Sequence, residues 1–221
     1  MKKKITFDKI FSLLQQELQH YQQPIVSREK RNIKQTPFTT LISCLLSLRT
    51  KDEVTEQASY RLLKHYDTPQ KIVQLTEQQI ANLIYPVGFY NTKAKRIRKI
   101  SQTLLDHYDG KVPEKLEELL QLKGVGRKTA NIVIVYGHKK SGFLPIDTHC
   151  HRIPNRLGWI RTKTPEETEK ALKKILPKQY WDDFNTLFVL FGQRICVPVS
   201  PLCSKCPIKR FCQKKGVTRQ R

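Results

Sequence analysis

Apolar residues recur at helical spacing along nearly the whole chain. In the first segment Phe7, Ile10, Leu14, Leu18 and Tyr21 lie three or four positions apart, which places them on one face of a helix. No convincing run of residues alternates between apolar and polar as a half-buried strand would. The sequence has no low-complexity linker and no clear repeat. This periodicity predicts an all-α fold.

Helix starts are marked by threonine followed by proline or glutamate. This arrangement places a capping hydroxyl before the first helical residue, and it occurs at Thr36-Pro37, Thr68-Pro69, Thr76-Glu77 and Thr164-Pro165. Thr50 with Glu53 is similar to a capping box and predicts one more helix start.

A glycine turn joins two helical segments in the middle of the chain, at Gly124-Val125-Gly126. Two glycines allow positive φ and a close approach of another backbone. The following helix begins with N–H groups and the positive end of its dipole, so the turn predicts a phosphate-binding site. The sequence disfavours a nucleotide-binding P-loop, because Arg127 separates Gly126 from Lys128 and the preceding segment Lys115–Leu122 has a helical pattern. A DNA-binding helix-hairpin-helix and a plain αα-hairpin remain as alternatives.

Charge favours DNA as the ligand of this turn. The chain has 41 Lys and Arg against 19 Asp and Glu, a net charge of +22, which indicates a polyanionic partner, nucleic acid before an anionic membrane surface. Two groups of basic residues flank the turn in the sequence, and we expect them to bind the DNA backbone. They are Lys93, Lys95, Arg96, Arg98 and Lys99, and Lys123, Arg127, Lys128, Lys139 and Lys140.

Membrane insertion is not expected. No apolar run approaches the ~20 residues that a membrane span requires. The basic start Met1–Lys4 is followed by polar residues rather than by the apolar region of a signal peptide. We therefore expect a cytoplasmic, nucleoid-associated protein.

Lys128 and Asp147 are the candidate catalytic residues. Asp147 precedes a helical segment, where an aspartate is usually an N-cap, although a capping carboxylate can also face a cleft. If both residues lie in one cleft, the amine can attack a sugar carbon and form a Schiff base. The carboxylate can stabilise an oxocarbenium-like sugar. His149 is interpreted as a polar or stacking contact near that cleft rather than as a metal ligand.

Four cysteines crowd into 17 residues, with the spacing Cys196-x6-Cys203-x2-Cys206-x5-Cys212. Four thiolates suit zinc or an iron–sulfur cluster, and the single C-x2-C pair occurs in both kinds of site. Zinc more often uses two such pairs. Either group would hold together a short proline-rich tail that has little core of its own.

Taken together, the hairpin, lysine, aspartate and cysteine array resemble the endonuclease III family of base-excision DNA glycosylases. The resemblance extends from Phe38 to Cys212. Matching segments are Leu45-Leu46-Ser47, Val87–Ala94, Leu122–Ala130, Ile146–His149 and the four-cysteine tail. The cysteine spacing is the family's own, so the resemblance favours a [4Fe–4S] cluster over zinc.

The family resemblance implies two helical domains with a DNA-binding cleft between them. Residues 30–141 would form a six-helix domain ending with the hairpin, and residues 1–29 with 142–221 a domain that carries the cluster. Lys128 would be the Schiff-base nucleophile and Asp147 the catalytic carboxylate. The protein would then be a monomeric bifunctional glycosylase and AP lyase. Its substrate would be double-stranded DNA containing oxidised pyrimidines or abasic sites.

Arg49 and Phe89 occupy the family positions that fill the stack vacated by a flipped-out base. Many members carry glutamine where this chain has Arg49, so the reading of the orphaned base is expected to differ, since arginine can stack and donate hydrogen bonds. The loop Val197–Leu202 has no basic residue. Phosphate contacts near the cluster would therefore come from Lys205, Lys209 or Arg210.

Two other functions would be compatible with parts of this pattern. A monofunctional mismatch glycosylase would release a base without cutting the strand until alkali is added, but such relatives lack lysine at position 128. A non-enzymatic DNA-binding protein would bind damaged DNA and form no product.

Overall fold

A computed structural model of the chain describes residues 6–21 and 33–221. Within these ranges every regular element is helical and no strand occurs, so the predicted all-α fold is confirmed. The eleven α-helices found there are α1 (Phe7–Leu18), α2 (Pro37–Ser47), α3 (Asp52–Leu63), α4 (Pro69–Val73), α5 (Glu77–Ile84), α6 (Tyr90–Tyr108), α7 (Leu116–Gln121), α8 (Arg127–Ile132), α9 (Thr148–Leu157), α10 (Pro165–Ile175) and α11 (Trp181–Arg194). A π-helical turn, Val133–Gly137, continues α8.

The chain folds into two compact units. One contains α2–α8 and ends at Lys140, and the other combines α1 with Ser141–Arg221. The predicted domain limits, 30–141 and 1–29 with 142–221, stay predictions, and the limit between residues 29 and 30 lies outside the described residues. The basic segment Met1–Lys4 also lies outside them. None of the described helices has the length and hydrophobicity that a membrane crossing requires.

Helix α2 is central to the unit that ends at Lys140. Every residue from Phe38 to Leu46 is buried, as expected for a helix that is apolar on most of its surface. It packs against α3, α6, α8 and the π-helical turn. At Gly137 in that turn an added Cβ would lie 2.8 Å from the Pro37 Cα, so only glycine permits this approach. This contact fixes α8 against the start of α2.

The second unit is built around α11, which packs against α1 and α9. Its core is aromatic: the Phe184 and Phe188 rings stack with centroids 4.2 Å apart, and Phe11 from α1 lies 5.9 Å from Phe188. Trp181 and Ile208 complete the same buried cluster. The unit therefore joins the N-terminal helix to the cysteine-containing tail through a continuous apolar core.

The threonine capping signals are confirmed with one exception. Thr36, Thr68, Thr76 and Thr164 each accept a hydrogen bond from the third residue of the helix that follows. The prediction for Thr50 was wrong: the N-cap of α3 is Lys51, without a side-chain cap bond. The Thr50 hydroxyl instead accepts hydrogen bonds from Gly88 N and Lys93 Nζ, which lie far away in the sequence.

Candidate functional site

The glycine turn closes tightly between α7 and α8. Gly124 has φ +91°, a conformation that L side chains rarely adopt, and Val125 N donates a hydrogen bond to Leu122 O at 2.9 Å. The Val125 side chain is buried and anchors the tip of the turn. Gly126 has an ordinary extended backbone with φ −91°, so only the first of the two glycines is required by a positive φ.

The second glycine leaves open space at the start of α8. A Cβ added to Gly126 would meet no atom within 4 Å, and the residue is exposed. Lys128 is exposed one residue into α8, whereas the next two residues, Thr129 and Ala130, are buried. Helix α8 is thus held by its buried face, and Lys128 is exposed to solvent beside the open space at Gly126.

Asp147 is the N-cap of α9, as predicted. Its Oδ1 atom accepts hydrogen bonds from His149 N at 2.9 Å and from Cys150 N at 2.8 Å, and the side chain is half-buried. These bonds hold the carboxylate in one orientation. Asp147 and Lys128 belong to different compact units, and their pairing across a cleft stays a prediction.

His149 is packed and hydrogen-bonded within its own unit. An added Cβ at Gly192 would lie 2.3 Å from His149 Nδ1, so the imidazole occupies the space that a side chain at position 192 would fill. Arg152 Nη2 lies 3.0 Å from the same nitrogen. The predicted contact of His149 with DNA is not tested by these interactions.

Two arginines of α9 connect this helix to the first cysteine of the array. Arg152 Nη2 donates to the carbonyl of Cys196 at 2.7 Å. Arg156 donates to the Cys196 Sγ at 3.4 Å and to the carbonyls of Val197 and Pro198 at 2.8 and 2.6 Å. The helix that begins at Asp147 therefore also holds the start of the cysteine loop.

The four cysteines line one largely apolar pocket, together with Ile153, Leu157, Phe191, Ile195 and Ile208. Burial raises the pKa of Cys206 to about 11 and also raises the pKa of Cys212, and the other cysteines of the array raise both further. Several thiolates in such a pocket would repel one another unless a cationic group lay between them.

This chemistry fits a group that binds four thiolates. Among the described residues, no set of three or more His, Cys, Asp or Glu side chains is arranged to hold a metal ion. A four-iron cluster needs a different arrangement of sulfur ligands from a single ion, because each thiolate binds its own iron and the four sulfur atoms need not converge on one point. The cysteine pocket supplies four sulfur ligands, apolar walls and two arginine donors near Cys196.

Arg49 and Phe89 form a pair on the surface of the unit that ends at Lys140. Both are exposed, with 63% of the Phe89 surface accessible, and the Arg49 guanidinium carbon lies 5.8 Å from the centre of the Phe89 ring. Both also have left-handed backbones, with φ values of 53° and 58°. Neither residue is glycine, asparagine or aspartate, which adopt this conformation most readily.

The basic run on α6 is not the continuous surface that the sequence indicates. Lys93 is 5% exposed, and its Nζ donates to Leu46 O at 2.7 Å and to Leu48 O at 2.6 Å. Arg98 is half-buried and donates to Leu75 O at 3.0 Å. These two residues bind neighbouring protein segments, and only part of the predicted DNA-binding run remains available.

Known proteins match both the sequence and the fold. The model of the HhH-GPD superfamily, described as base excision DNA repair proteins, matches residues 42–178. The chain is 53% identical over 190 residues to endonuclease III of Thermotoga maritima, covering 86% of this chain and 89% of that protein. It is 42% identical to the chloroplastic endonuclease III homolog 1 of Arabidopsis thaliana, covering 79% of this chain and 48% of that longer protein.

Solved structures agree with these matches. A trapped covalent intermediate of an endonuclease III with DNA, described as an estranged-adenine complex, superposes with a TM-score of 0.82 at 30% identity. The superposition covers 97% of each chain. A thermostable thymine-DNA glycosylase, 22% identical with a TM-score of 0.75, shares the fold. The chain therefore belongs to the endonuclease III family, within the HhH-GPD superfamily of base excision DNA repair proteins.

Proposed function

We propose that the chain is a bifunctional DNA glycosylase and AP lyase that removes oxidised pyrimidines from double-stranded DNA. The single observation that carries the proposal is the exposed Lys128, one residue into α8 and beside a glycine turn with open space at Gly126. Family membership supports DNA repair, and a related endonuclease III has been trapped in a covalent complex with DNA.

In this proposal the hairpin binds one phosphate and thereby positions the damaged strand. The backbone of Gly124, Val125, Gly126 and Arg127 takes the phosphate, with the missing side chain at Gly126 leaving room for it. The lesion is flipped out of the duplex so that its sugar can reach Lys128. Arg49 and Phe89 occupy the vacated stack, and His149 contacts the DNA near the sugar.

Lys128 and Asp147 carry out the chemistry. The Lys128 amine attacks the sugar C1′, the glycosidic bond breaks, and the base departs with the bonding electrons and takes up the proton that the attacking nitrogen loses. Opening of the sugar ring gives an imine between Lys128 and C1′. Asp147, held by its cap bonds, stabilises the positive charge that develops on the sugar. Loss of a C2′ proton then breaks the C3′–O bond, which cuts the strand 3′ to the lesion.

Borohydride trapping tests this assignment. Reduction of the imine should link wild-type protein covalently to abasic-site DNA, and Lys128→Ala should abolish the product. Lys115→Ala is the matched control, because Lys115 is an exposed lysine of the same unit, and its Nζ lies 3.5 Å from Glu118 Oε1 in a surface ion pair. Trapping that persists in Lys128→Ala would refute the role of Lys128. Base release without strand cleavage by the wild type would favour a monofunctional glycosylase instead.

We further propose that Cys196, Cys203, Cys206 and Cys212 hold a [4Fe–4S] cluster. The cluster would remove the repulsion among buried thiolates and fix the tail to α9, which is a structural contribution. Protein purified anaerobically should be brown, absorb near ~400 nm, and contain about four irons per chain. A colourless protein that contains zinc instead would refute this assignment.

The same proposal includes a monomeric, nucleoid-associated protein. The net charge of +22 supports an electrostatic association with DNA that weakens as salt rises. Beside the cysteine array, Lys209, Arg210 and Lys214 line one groove and can contact phosphates where the loop Val197–Leu202 cannot. Sedimentation of the protein alone and with a short duplex checks the stoichiometry of one chain per duplex.

A further inference from the structure

Arg49 and Phe89 have backbones that the surrounding structure must hold in place. Each adopts a left-handed conformation, with φ 53° and 58°, and each side chain is exposed. Such conformations persist in non-glycine residues only where neighbouring contacts fix them. Residues on either side of Arg49 and Phe89 make hydrogen bonds that can fix these backbones.

Lys93 fixes the segment that carries Arg49. Its buried ammonium donates to Leu48 O at 2.6 Å, directly before Arg49, and to Thr50 Oγ1 at 3.1 Å, directly after it. A third bond runs to Leu46 O at 2.7 Å, near the end of α2. All three donors of the ammonium group are thus used on one short segment.

Thr50 joins this segment to the one that carries Phe89. Its hydroxyl accepts from Gly88 N at 3.2 Å and from Lys93 Nζ, and donates to Leu48 O at 3.3 Å. A Cβ added to Gly88 would lie 2.7 Å from Arg49 O, so the two segments are in backbone contact. The Phe89 carbonyl accepts from Lys93 N at 3.0 Å, the first helical bond of α6.

We propose that Lys93 and Thr50 are positioning residues that hold Arg49 and Phe89 as one preformed pair, ready to fill the space left by a flipped-out base. The set of Lys93, Thr50 and the Gly88 N–H is called the Lys93 clamp. The inference rests on the proposed function, since it assigns the clamp to base flipping. It goes beyond that function in naming residues that touch neither the base nor the sugar.

A purely structural role would explain these contacts less well. Burying an ammonium group costs desolvation free energy, which is a large cost for closing a helix end. Burial lowers the pKa of Lys93 to about 8, with a smaller contribution from the charge of Arg96. Threonine at position 50 also forgoes a capping role for α3. Lys93 closes the end of α2 through Leu46 O, and its other two bonds, with those of Thr50, fix the geometry of Arg49 and Phe89.

The substitutions Thr50→Val and Thr50→Ser form the test pair, because serine keeps the hydroxyl and valine removes it with little change in shape. We expect Thr50→Val to lower kcat/KM for base excision from a duplex at least tenfold, and Thr50→Ser to restore it to within threefold of wild type. Borohydride trapping on single-stranded abasic DNA needs no base flipping, so it should change less than twofold. Melting curves of both variants confirm folding.

A mutant cycle shows whether the clamp acts through Arg49 and Phe89. In a background that carries both Arg49→Ala and Phe89→Ala, Thr50→Val and Lys93→Met should each cause less than a twofold further loss on the duplex. The inference would be overturned if the loss caused by a clamp substitution multiplied fully with the loss caused by the background. Equal losses on duplex and single-stranded DNA would also overturn it. Failure of wild-type protein to trap an abasic duplex would instead refute the proposed function, and the two failures are therefore distinct.

Discussion

Replacing Lys93 by methionine measures the cost of its buried charge. Lys93 is 5% exposed, and burial lowers its pKa from 10.5 to about 8. Methionine keeps an unbranched side chain of similar length and removes both the charge and the donors. The quantity to follow is the free energy of unfolding of wild type minus that of Lys93→Met, and how this difference changes with pH.

The direction of the change follows from proton binding. In the unfolded chain Lys93 keeps its proton up to pH 10.5, whereas in the folded protein it loses it near pH 8, so the unfolded state binds more protons between these values. Stability of the wild type therefore rises with pH across this window. The full gap corresponds to about 3 kcal/mol, at about 1.4 kcal/mol per pKa unit. Between pH 7 and 9.5 the expected gain over Lys93→Met is about 2 kcal/mol.

Urea unfolding followed by far-UV circular dichroism at several pH values gives this difference, with the protein kept anaerobic so that its cysteines stay reduced. The slope of stability against pH is diagnostic rather than the value at one pH, because methionine also removes the Lys93 hydrogen bonds to the carbonyls of Leu46 and Leu48. Lys95→Met is the control, since Lys95 is an exposed lysine on the same helix. Parallel pH curves for wild type and Lys93→Met would refute the reasoning.

Three further predictions concern the other parts of the site. Gly124→Ala should lower the free energy of unfolding by about 1–2 kcal/mol because of its φ of +91°. Gly126→Ala should lower stability less but weaken binding of an abasic duplex more. The reverse order in melting and binding assays would contradict the phosphate site. The Arg49 side chain has only hydrogen-bond donors, which match the acceptors of guanine, so wild type should prefer a lesion opposite guanine. Arg49→Gln should shift the ratio of excision rates opposite guanine and opposite adenine about tenfold toward adenine. An unchanged ratio of single-turnover rates would exclude Arg49 as the residue that recognises the opposite base. Cys206→Ser should lose iron and the absorption near ~400 nm, while Cys44→Ala, outside the array, should keep both; equal iron contents would remove Cys206 from the ligand set.

Local chemistry made the helices predictable. The hydroxyls of Thr36, Thr68, Thr76 and Thr164 bond to backbone groups three residues away, so a short sequence window contains the whole interaction. The same holds for Asp147, whose cap bonds reach only to His149 and Cys150. Apolar periodicity likewise predicted the buried face of α1 at Phe7, Ile10, Leu14 and Leu18, because burial in a helix repeats at a fixed spacing. The prediction was wrong for Tyr21, which lies beyond the end of α1 and is exposed.

Contacts between distant segments could not be predicted in this way. Thr50 carries a good capping sequence, but its partners are 38 and 43 positions away. Lys93 belongs to a run of basic residues, and its helical register with Ile97 and Ile100 places it on the buried face, but its carbonyl partners cannot be found from that register. Lys128 was recognised as a candidate from its place after the hairpin and from the family resemblance. Lys128 and Asp147 belong to different compact units. No local sequence pattern reports whether two residues in different units lie close together.

The two arginine anchors of α9 have a consequence for how this protein can change over evolution. Arg152 and Arg156 donate hydrogen bonds to carbonyls at the start of the cysteine loop, those of Cys196, Val197 and Pro198. These carbonyls stay within reach only while the loop keeps its conformation. A lineage that lost the four cysteines would leave two partly buried cations without these loop acceptors, and Arg152 would keep its longer bonds to Gly192 O and Thr148 O. Cysteine loss would therefore select for replacement of both arginines, and the six positions should be inherited or abandoned together.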